Sequence, residues 1–250
     1  MRNLAIVGVA AVVACGRLGF DDRLTGADAP VPGGDAVPID AAHEVPRLVS
    51  MTGSSTNDGS DLPQLVVTIP EVAAGDLVVV GIAEHHGDPI ASVEDGSGRQ
   101  LESADVRAQV AGTSSEIWYE TDAAATTSIT ITPSVASDFD AWVAEFSGTR
   151  AGAPAAAGSN CLEYPPSIVM APGTTTVAGE LVFSVTMLEY PVYVAQVLPP
   201  FTGFPPLTGN DAGFYVAPAP GSYGTQFEIA SGSGMAAMTC ASTAVWAPGP

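Results

Sequence analysis

The sequence predicts an all-β fold: an antiparallel β-sandwich, double Greek-key or jelly-roll-like, built from two pseudo-repeated halves after a disordered tether. Three observations predict it. After residue 47 the apolar residues come in short β-favouring runs, cut by Gly, Pro, Asn and Asp. No stretch there keeps helical spacing over three turns. Runs of the same kind recur in the same order in the two halves of the region.

The strand-like runs can be taken in order. Residues 64–69 (QLVVTI) are the first. Residues 76–83 (DLVVVGIA) are almost wholly apolar, as a strand covered on both faces requires. Ile117, Trp118 and Tyr119 are aromatic or β-branched. Residues 128–132 (SITIT) alternate strictly, which puts Ile129 and Ile131 on one face. Residues 140–146 (DAWVAEF) place Trp142, Ala144 and Phe146 together. Residues 181–187 (LVFSVTM) do the same for Leu181, Phe183, Val185 and Met187. Residues 226–229 and 238–246 complete the set.

The order of these runs is an internal repeat. QLVVTIP leads to Ala74-Gly75-Asp76-Leu77-Val78, and SIVMAP leads to Ala178-Gly179-Glu180-Leu181-Val182. Each glycine suits a tight turn before a long buried strand. Ile117-Trp118-Tyr119, SITIT and AWVAEF follow in the first copy; Phe214-Tyr215-Val216, TQFEI and MTCASTAVW follow in the second. Residues 151–159 (AGAPAAAGS) join the half-units 48–150 and 161–250. Each half shows only about five recognisable strands, a marginal core alone, so one shared sandwich over 48–250 is expected rather than two tandem domains.

Composition excludes some partners. The 250 residues carry 7 Lys+Arg against 27 Asp+Glu, for a formal net charge of -20, and every basic residue is Arg. Such a surface repels phosphate backbones and anionic lipid heads, so no nucleic acid is expected. The acidic residues are scattered singly at turn-like positions, a pattern that serves solubility.

The N-terminus carries targeting information. Met1-Arg2-Asn3 is short and positive, and residues 4–14 are apolar or small. The run is shorter than the roughly 20 residues a membrane span needs. It closes as Val12-Val13-Ala14-Cys15, which resembles the lipobox of bacterial lipoproteins. The resemblance implies that residues 1–14 are a removed signal peptide and that Cys15 bears acyl chains such as palmitate. These chains would anchor the protein to a membrane of the cell envelope. Gly16 stands where an Asp would resemble an inner-membrane retention signal, which favours the outer membrane. Residues 15–47, rich in Pro, Gly, Ala and Asp, read as a flexible tether.

A second resemblance concerns the folded part. AGDLVVVGIA, the turn Ser92-Val93-Glu94-Asp95-Gly96-Ser97-Gly98, EIWYE, SITIT and AWVAEFSG resemble a recurring class of bacterial surface β-sandwich domains. The resemblance spans about 48–250 and is clearest over 64–148. It implies a non-catalytic cell-surface module and supplies no active site. Arg99-Gln100-Leu101 departs from the Asn-Thr-Tyr usual after that turn.

With Cys15 taken by lipid, Cys161 and Cys240 are left as a pair in an oxidising compartment, where a disulfide is the default. They lie near the first and last strands of the second half, which a β half-unit often brings together.

Candidate chemistry is sparse. Glu84-His85-His86-Gly87-Asp88 holds metal-ligand residue types, but strand alternation sends Glu84 and His86 one way and His85 the other. At most two ligands then converge locally, so no zinc site is expected. No cofactor is required, and the candidates for calcium are Asp58, Asp61, Asp95, Asp138 and Asp140, whose Asp/Asn/Gly turns offer oxygen ligands. Glu116, Trp118 and Glu120 share one strand face and are the candidate ligand-binding group, because carboxylates beside an aromatic suit a sugar. No catalytic residue is assigned.

These readings together suggest a lipid-anchored, non-enzymatic envelope module for adhesion, envelope structure or carbohydrate binding. Its partners would be the membrane, through the lipid, and a glycan or envelope protein. The alternative is a glycoside-active enzyme of concanavalin-like sandwich type.

Overall fold

In a computed structural model of the chain, the described residues are 43–56, 61–110, 112–163, 168–170, 174–189, 194–230 and 238–250. The expected signal peptide (1–14), Cys15 and the expected tether up to residue 42 lie outside them, as does Asp58. The described residues form eighteen strands and no helix. Every strand pairing is antiparallel. The all-β antiparallel sandwich read from the sequence is therefore the fold.

The first half holds β1 (Arg47–Ser55), β2 (Leu65–Thr68), β3 (Leu77–Glu84), β4 (Ile90–Asp95), β5 (Glu102–Val110), β6 (Thr113–Glu120), β7 (Ser128–Pro133) and β8 (Phe139–Ser147). The second holds β9 (Ala156–Glu163), β10 (Ile168–Met170), β11 (Thr174–Thr176), β12 (Leu181–Leu188), β13 (Val194–Val197), β14 (Thr202–Gly203), β15 (Ala212–Val216), β16 (Gly221–Tyr223), β17 (Gln226–Ala230) and β18 (Met238–Trp246).

The repeat is exact at the level of topology. A five-stranded sheet of order β1-β8-β3-β6-β5 in the first half matches β9-β18-β12-β15-β14 in the second. A three-stranded sheet β2-β7-β4 matches β10-β17-β13. Only the small β11-β16 pair has no counterpart among the described residues of the first half.

Three cores separate these sheets. Val78, Val80, Ile82, Ala141 and Val143 of the first five-stranded sheet pack on Val67, Val93, Ile129 and Ile131 of its three-stranded partner. Val182, Ala241 and Val245 pack likewise on Ala195, Val197, Phe227 and Ile229. The opposite faces of the two five-stranded sheets meet each other. Leu77, Val79, Ile117, Tyr119, Trp142 and Phe146 interlock with Leu181, Phe183, Val185, Met187, Ala244 and Trp246.

The result is four layers, two sandwiches back to back. The sequence favoured one shared sandwich over two tandem domains, on about five strands per half; the described halves hold eight and ten. That expectation counted too few strands per half. β4 and β5 carry Asp, Glu, Ser and Arg and lack a clean apolar alternation. In β5 the register shifts between Ser103 and Arg107, at Asp105 with φ 52°, so its inward residues are not evenly spaced. The continuous apolar runs of β3, β8, β12 and β18 now have their cause. Each belongs to an inner sheet and is covered on both faces.

Two boundaries also move. The second half starts at Ala156 rather than 161, because residues expected to be linker pair with β18 as the edge strand β9. Small residues of low strand propensity are held there by tertiary pairing. Residues 43–47, assigned to the tether, belong to the folded part. Glu44 bridges Gly249, His43 Nδ1 lies 3.2 Å from the Gly249 carbonyl oxygen, and Pro46 is buried.

Cys161 and Cys240 are direct partners in the β9–β18 register, with Cα atoms 4.1 Å apart and a disulfide between them. The first and last strands of the half do come together, and the bond fixes the edge strand to its neighbour.

Candidate functional site

The candidate ligand types gather at one end of the first inner sheet. β3 ends there at Glu84, β8 begins there, and the chain turns through residues 85–89 into β4. The β3–β8 register sets Ala83 opposite Asp140 and Glu84 opposite Phe139. Alternation then divides the side chains between two faces, as the sequence implied.

On the face toward the three-stranded sheet, Glu84, His86 and Asp88 bring ligand atoms within 4.8 Å of one another. Asp88 was not expected to join. Gly87, with φ 75°, turns the chain so that Asp88 returns to the side of Glu84 and His86. Asp61, one of the calcium candidates, adds a carboxylate oxygen 3.7 Å from His86 Nε2. Glu84 is fully buried and satisfied by protein donors. The His86 N–H donates to Oε1 at 2.8 Å, Ser114 Oγ donates to Oε2 at 3.2 Å, and Ser137 Oγ donates to Oε1.

On the face toward the second half, His85 meets two further calcium candidates. Its Nε2 lies 3.9 Å from Asp138 Oδ1 and 4.0 Å from Asp140 Oδ2. Asp140 is fully buried and receives two hydrogen bonds from the turn before β15: Thr208 Oγ1 donates to Oδ1 at 3.1 Å, and Asn210 Nδ2 donates to Oδ2 at 2.7 Å. Asn210 Oδ1 in turn accepts from the Leu188 N–H at 2.7 Å. His85 Nε2 and Asp138 Oδ1 are buried without a hydrogen-bond partner.

Compared with known protein families and with curated proteins, the chain matches none. The geometry therefore carries the functional argument.

The remaining candidates lie apart from this end. Asp95 closes the turn after β4. Its Oδ1 accepts from the Ser97 N–H and the Arg99 N–H at 2.8 Å each, and Ser97 Oγ donates to it at 2.7 Å. Burial works to raise its pKa, but these hydrogen bonds outweigh it and hold the group below the usual carboxylate range. Its oxygens are engaged in turn geometry.

Glu116, Trp118 and Glu120 do share a face, and it is the face under the three-stranded sheet. Trp118 packs against that core. Glu116 is 5% exposed and Glu120 3% exposed. Trp118 Nε1 donates to Glu116 Oε2 at 3.1 Å, while Arg107 Nε and the Ile90 N–H donate to Oε1 at 2.7 and 3.2 Å. Arg99 pairs with Glu120 at 2.8 Å. Burial raises both pKa values, with the Arg partners pulling the other way. Four residues along one strand separate the two carboxylates by about 13 Å of backbone, wider than the pairs that cleave glycosides.

Sequence reasoning did not bring His85 to Asp138 and Asp140, nor Thr208 and Asn210 to Asp140. Gly87 was a readable signal for Asp88. Nothing local announces the β3–β8 register or the approach of the second half.

Proposed function

We propose that the protein is a lipid-anchored, non-enzymatic β-sandwich module of the cell envelope, held at the outer membrane through Cys15 and binding a glycan or envelope protein. The observation that carries the reading is the Cys161–Cys240 disulfide, a bond characteristic of oxidising, extracytoplasmic compartments. It agrees with the Val12-Val13-Ala14-Cys15 motif, which is independent of it in the chain. The glycoside-active alternative drew on Glu116, Trp118 and Glu120, and their burial leaves that alternative without a supporting observation.

Detergent-phase partitioning tests the anchor. Native protein enters the detergent phase and Cys15→Ser stays in the aqueous phase; native protein in the aqueous phase overturns the anchor. A glycan array probed with residues 40–250, which form one compact unit, tests the binding role, with and without calcium. Hydrolysis of arrayed sugars in place of retention overturns the non-enzymatic reading.

A further inference from the structure

The repeat gives the second half a carboxylate in the place of Glu116. The shared Ala-Gly-acid-Leu-Val lead-in puts Val182 in line with Val78, and therefore Thr186 in line with Ile82. Glu116 is the β6 partner of Ile82. In the β12–β15 register Val185 faces Ala212, which sets Asp211 beside Thr186, and the Thr186 N–H donates to the Asp211 carbonyl oxygen at 3.0 Å. Both acids are buried, Asp211 at 3% exposed.

Their surroundings differ. Glu116 has a cation: Arg107, its β5 register partner, donates to it from Nε at 2.7 Å. In the second half β14 takes the place of β5 and ends at Gly203. Gly203 faces Gly213, and the Phe204 N–H donates to the Ala212 carbonyl oxygen, so Pro205 comes opposite Asp211. A proline brings no charge. Asp211 Oδ2 accepts from the Val197 N–H at 2.9 Å and Oδ1 from the Ala212 N–H at 2.7 Å. No Lys, Arg or His follows Arg150 in the chain. Among the described residues no ion pair reaches Asp211. Burial raises its pKa to about 6 against the two hydrogen bonds, as a buried carboxylate without a counter-charge requires.

Space lies on the side from which Arg107 reaches Glu116. Val197, Gly203, Phe204, Pro206 and Asp211 line a cavity of about 380 Å³. That is within the range of small-ligand sites, which begin at about 300 Å³.

We propose that this cavity binds an alkylguanidinium group supplied from outside the chain, seated on Asp211 as Arg107 is seated on Glu116. Each Asp211 oxygen accepts one N–H and keeps a second acceptor direction. A planar guanidinium fork donates to both oxygens at once. An ammonium is a more strongly hydrated point charge and loses more water on entry. Val197, Phe204 and Pro206 give the alkyl stem an apolar wall. The site is independent of the glycan reading and stands whether or not the protein binds sugar.

The test is calorimetric titration of butylguanidinium chloride, and of the peptide acetyl-Gly-Arg-Gly-amide, into the full-length chain in detergent. Saturable binding of one molecule per chain is expected. Butylurea, the neutral isostere, binds at least roughly 10-fold more weakly. Asp211→Asn removes the charge and weakens binding by a similar factor. Gly203→Ala keeps the charge but sets a methyl 3.5 Å from Asp211 Oδ2 and 3.3 Å from Val197 Cβ, and it also weakens binding. Glu71→Gln, at an exposed carboxylate of the first half, leaves binding unchanged. Circular dichroism of each variant establishes that it has folded. Tighter binding of the peptide makes the source an arginine side chain of a protein partner; equal or tighter binding of butylguanidinium makes it a free guanidine. Absence of saturable binding of either probe overturns the proposal. So does butylurea binding as well as butylguanidinium, and so does binding unchanged in both Asp211→Asn and Gly203→Ala, which reduces it to attraction by the acidic surface.

Discussion

Ser115 and Ser242, 127 residues apart in the chain, hydrogen-bond through their hydroxyls at 2.9 Å inside the space between the two inner sheets. Ser242 Oγ also donates to the Ser115 carbonyl oxygen at 3.0 Å, so the Ser115 hydroxyl donates to Ser242 Oγ. Both residues are fully buried. The small side chains let the sheets approach, and the reciprocal bonds satisfy polar atoms that water cannot reach.

The two serines should differ in consequence. Ser115→Ala leaves Ser242 its carbonyl acceptor and costs about 0.5–1.5 kcal/mol. Ser242→Ala strands the Ser115 hydroxyl and removes a donor from its carbonyl, costing about 1–3 kcal/mol. Urea unfolding of the two variants side by side measures the order. Equal costs would mean that the pair is not shielded from water.

Gly81 tests how tightly the inner sheets meet. A Cβ there would stand 2.9 Å from Phe183 Cε1 and 3.2 Å from Val185 Cβ. Both neighbours are fully buried and have nowhere to go. Gly81→Ala should destabilise by about 1–3 kcal/mol despite the better strand propensity of alanine. Phe183→Leu in the same chain should recover part of the loss, seen as non-additivity in a double-mutant cycle.

Breaking the disulfide should loosen the second half. The bond spans 79 residues. The chain-entropy model gives about 4.5 kcal/mol for a loop of that size. Cys161→Ala with Cys240→Ala should lower the melting temperature, and hydrogen exchange should rise first in β9. Unchanged exchange in β9 would show that strand pairing alone holds the edge.

The stability should fall as pH rises through the weakly acidic range. Burial raises the Asp211 pKa to about 6, against hydrogen bonds from the Val197 and Ala212 N–H groups. Burial also raises Asp76, Glu116 and Glu120, with the charge of Glu145 adding to the shift at Asp76. A folded pKa above the unfolded one means that folding takes up a proton. The contribution is complete below the unfolded value and is lost as pH climbs through the folded one, for Asp211 from 3.8 to about 6. Asp95, shifted downward, acts in the opposite sense and only below its ordinary value of 3.8. The melting temperature should therefore be higher near about pH 5 than near about pH 7.5, and Asp211→Asn should flatten the difference. A rise over that interval contradicts the assignment.

Much of the fold was legible because buried strands in this chain are written in uninterrupted or alternating apolar residues. Leu77–Glu84 and Leu181–Leu188 declared themselves, and the shared Ala-Gly-acid-Leu-Val lead-in declared the repeat. Strands built of Ala, Gly, Ser and acidic residues did not. β9 and β5 exist because a neighbour pairs with them, and neither is announced by its own residues. At the site, alternation correctly parted His85 from Glu84 and His86. What covers a face is a long-range fact. Glu116 and Glu120 are acceptable under the outer sheet only because Arg107 and Arg99 reach them from β5 and from the turn before it. His85 meets Asp140 only through the register of β3 on β8.

The central claim, a disulfide-sealed β-sandwich module carried on a lipidated N-terminal cysteine, is tested most directly by intact-mass and peptide mass spectrometry of the native protein extracted from cell membranes without reductant. The account predicts a chain beginning at Cys15 with acyl groups on that residue and a Cys161–Cys240 cross-linked peptide. A chain that retains Met1, or an unmodified Cys15 together with free thiols at Cys161 and Cys240, would contradict it.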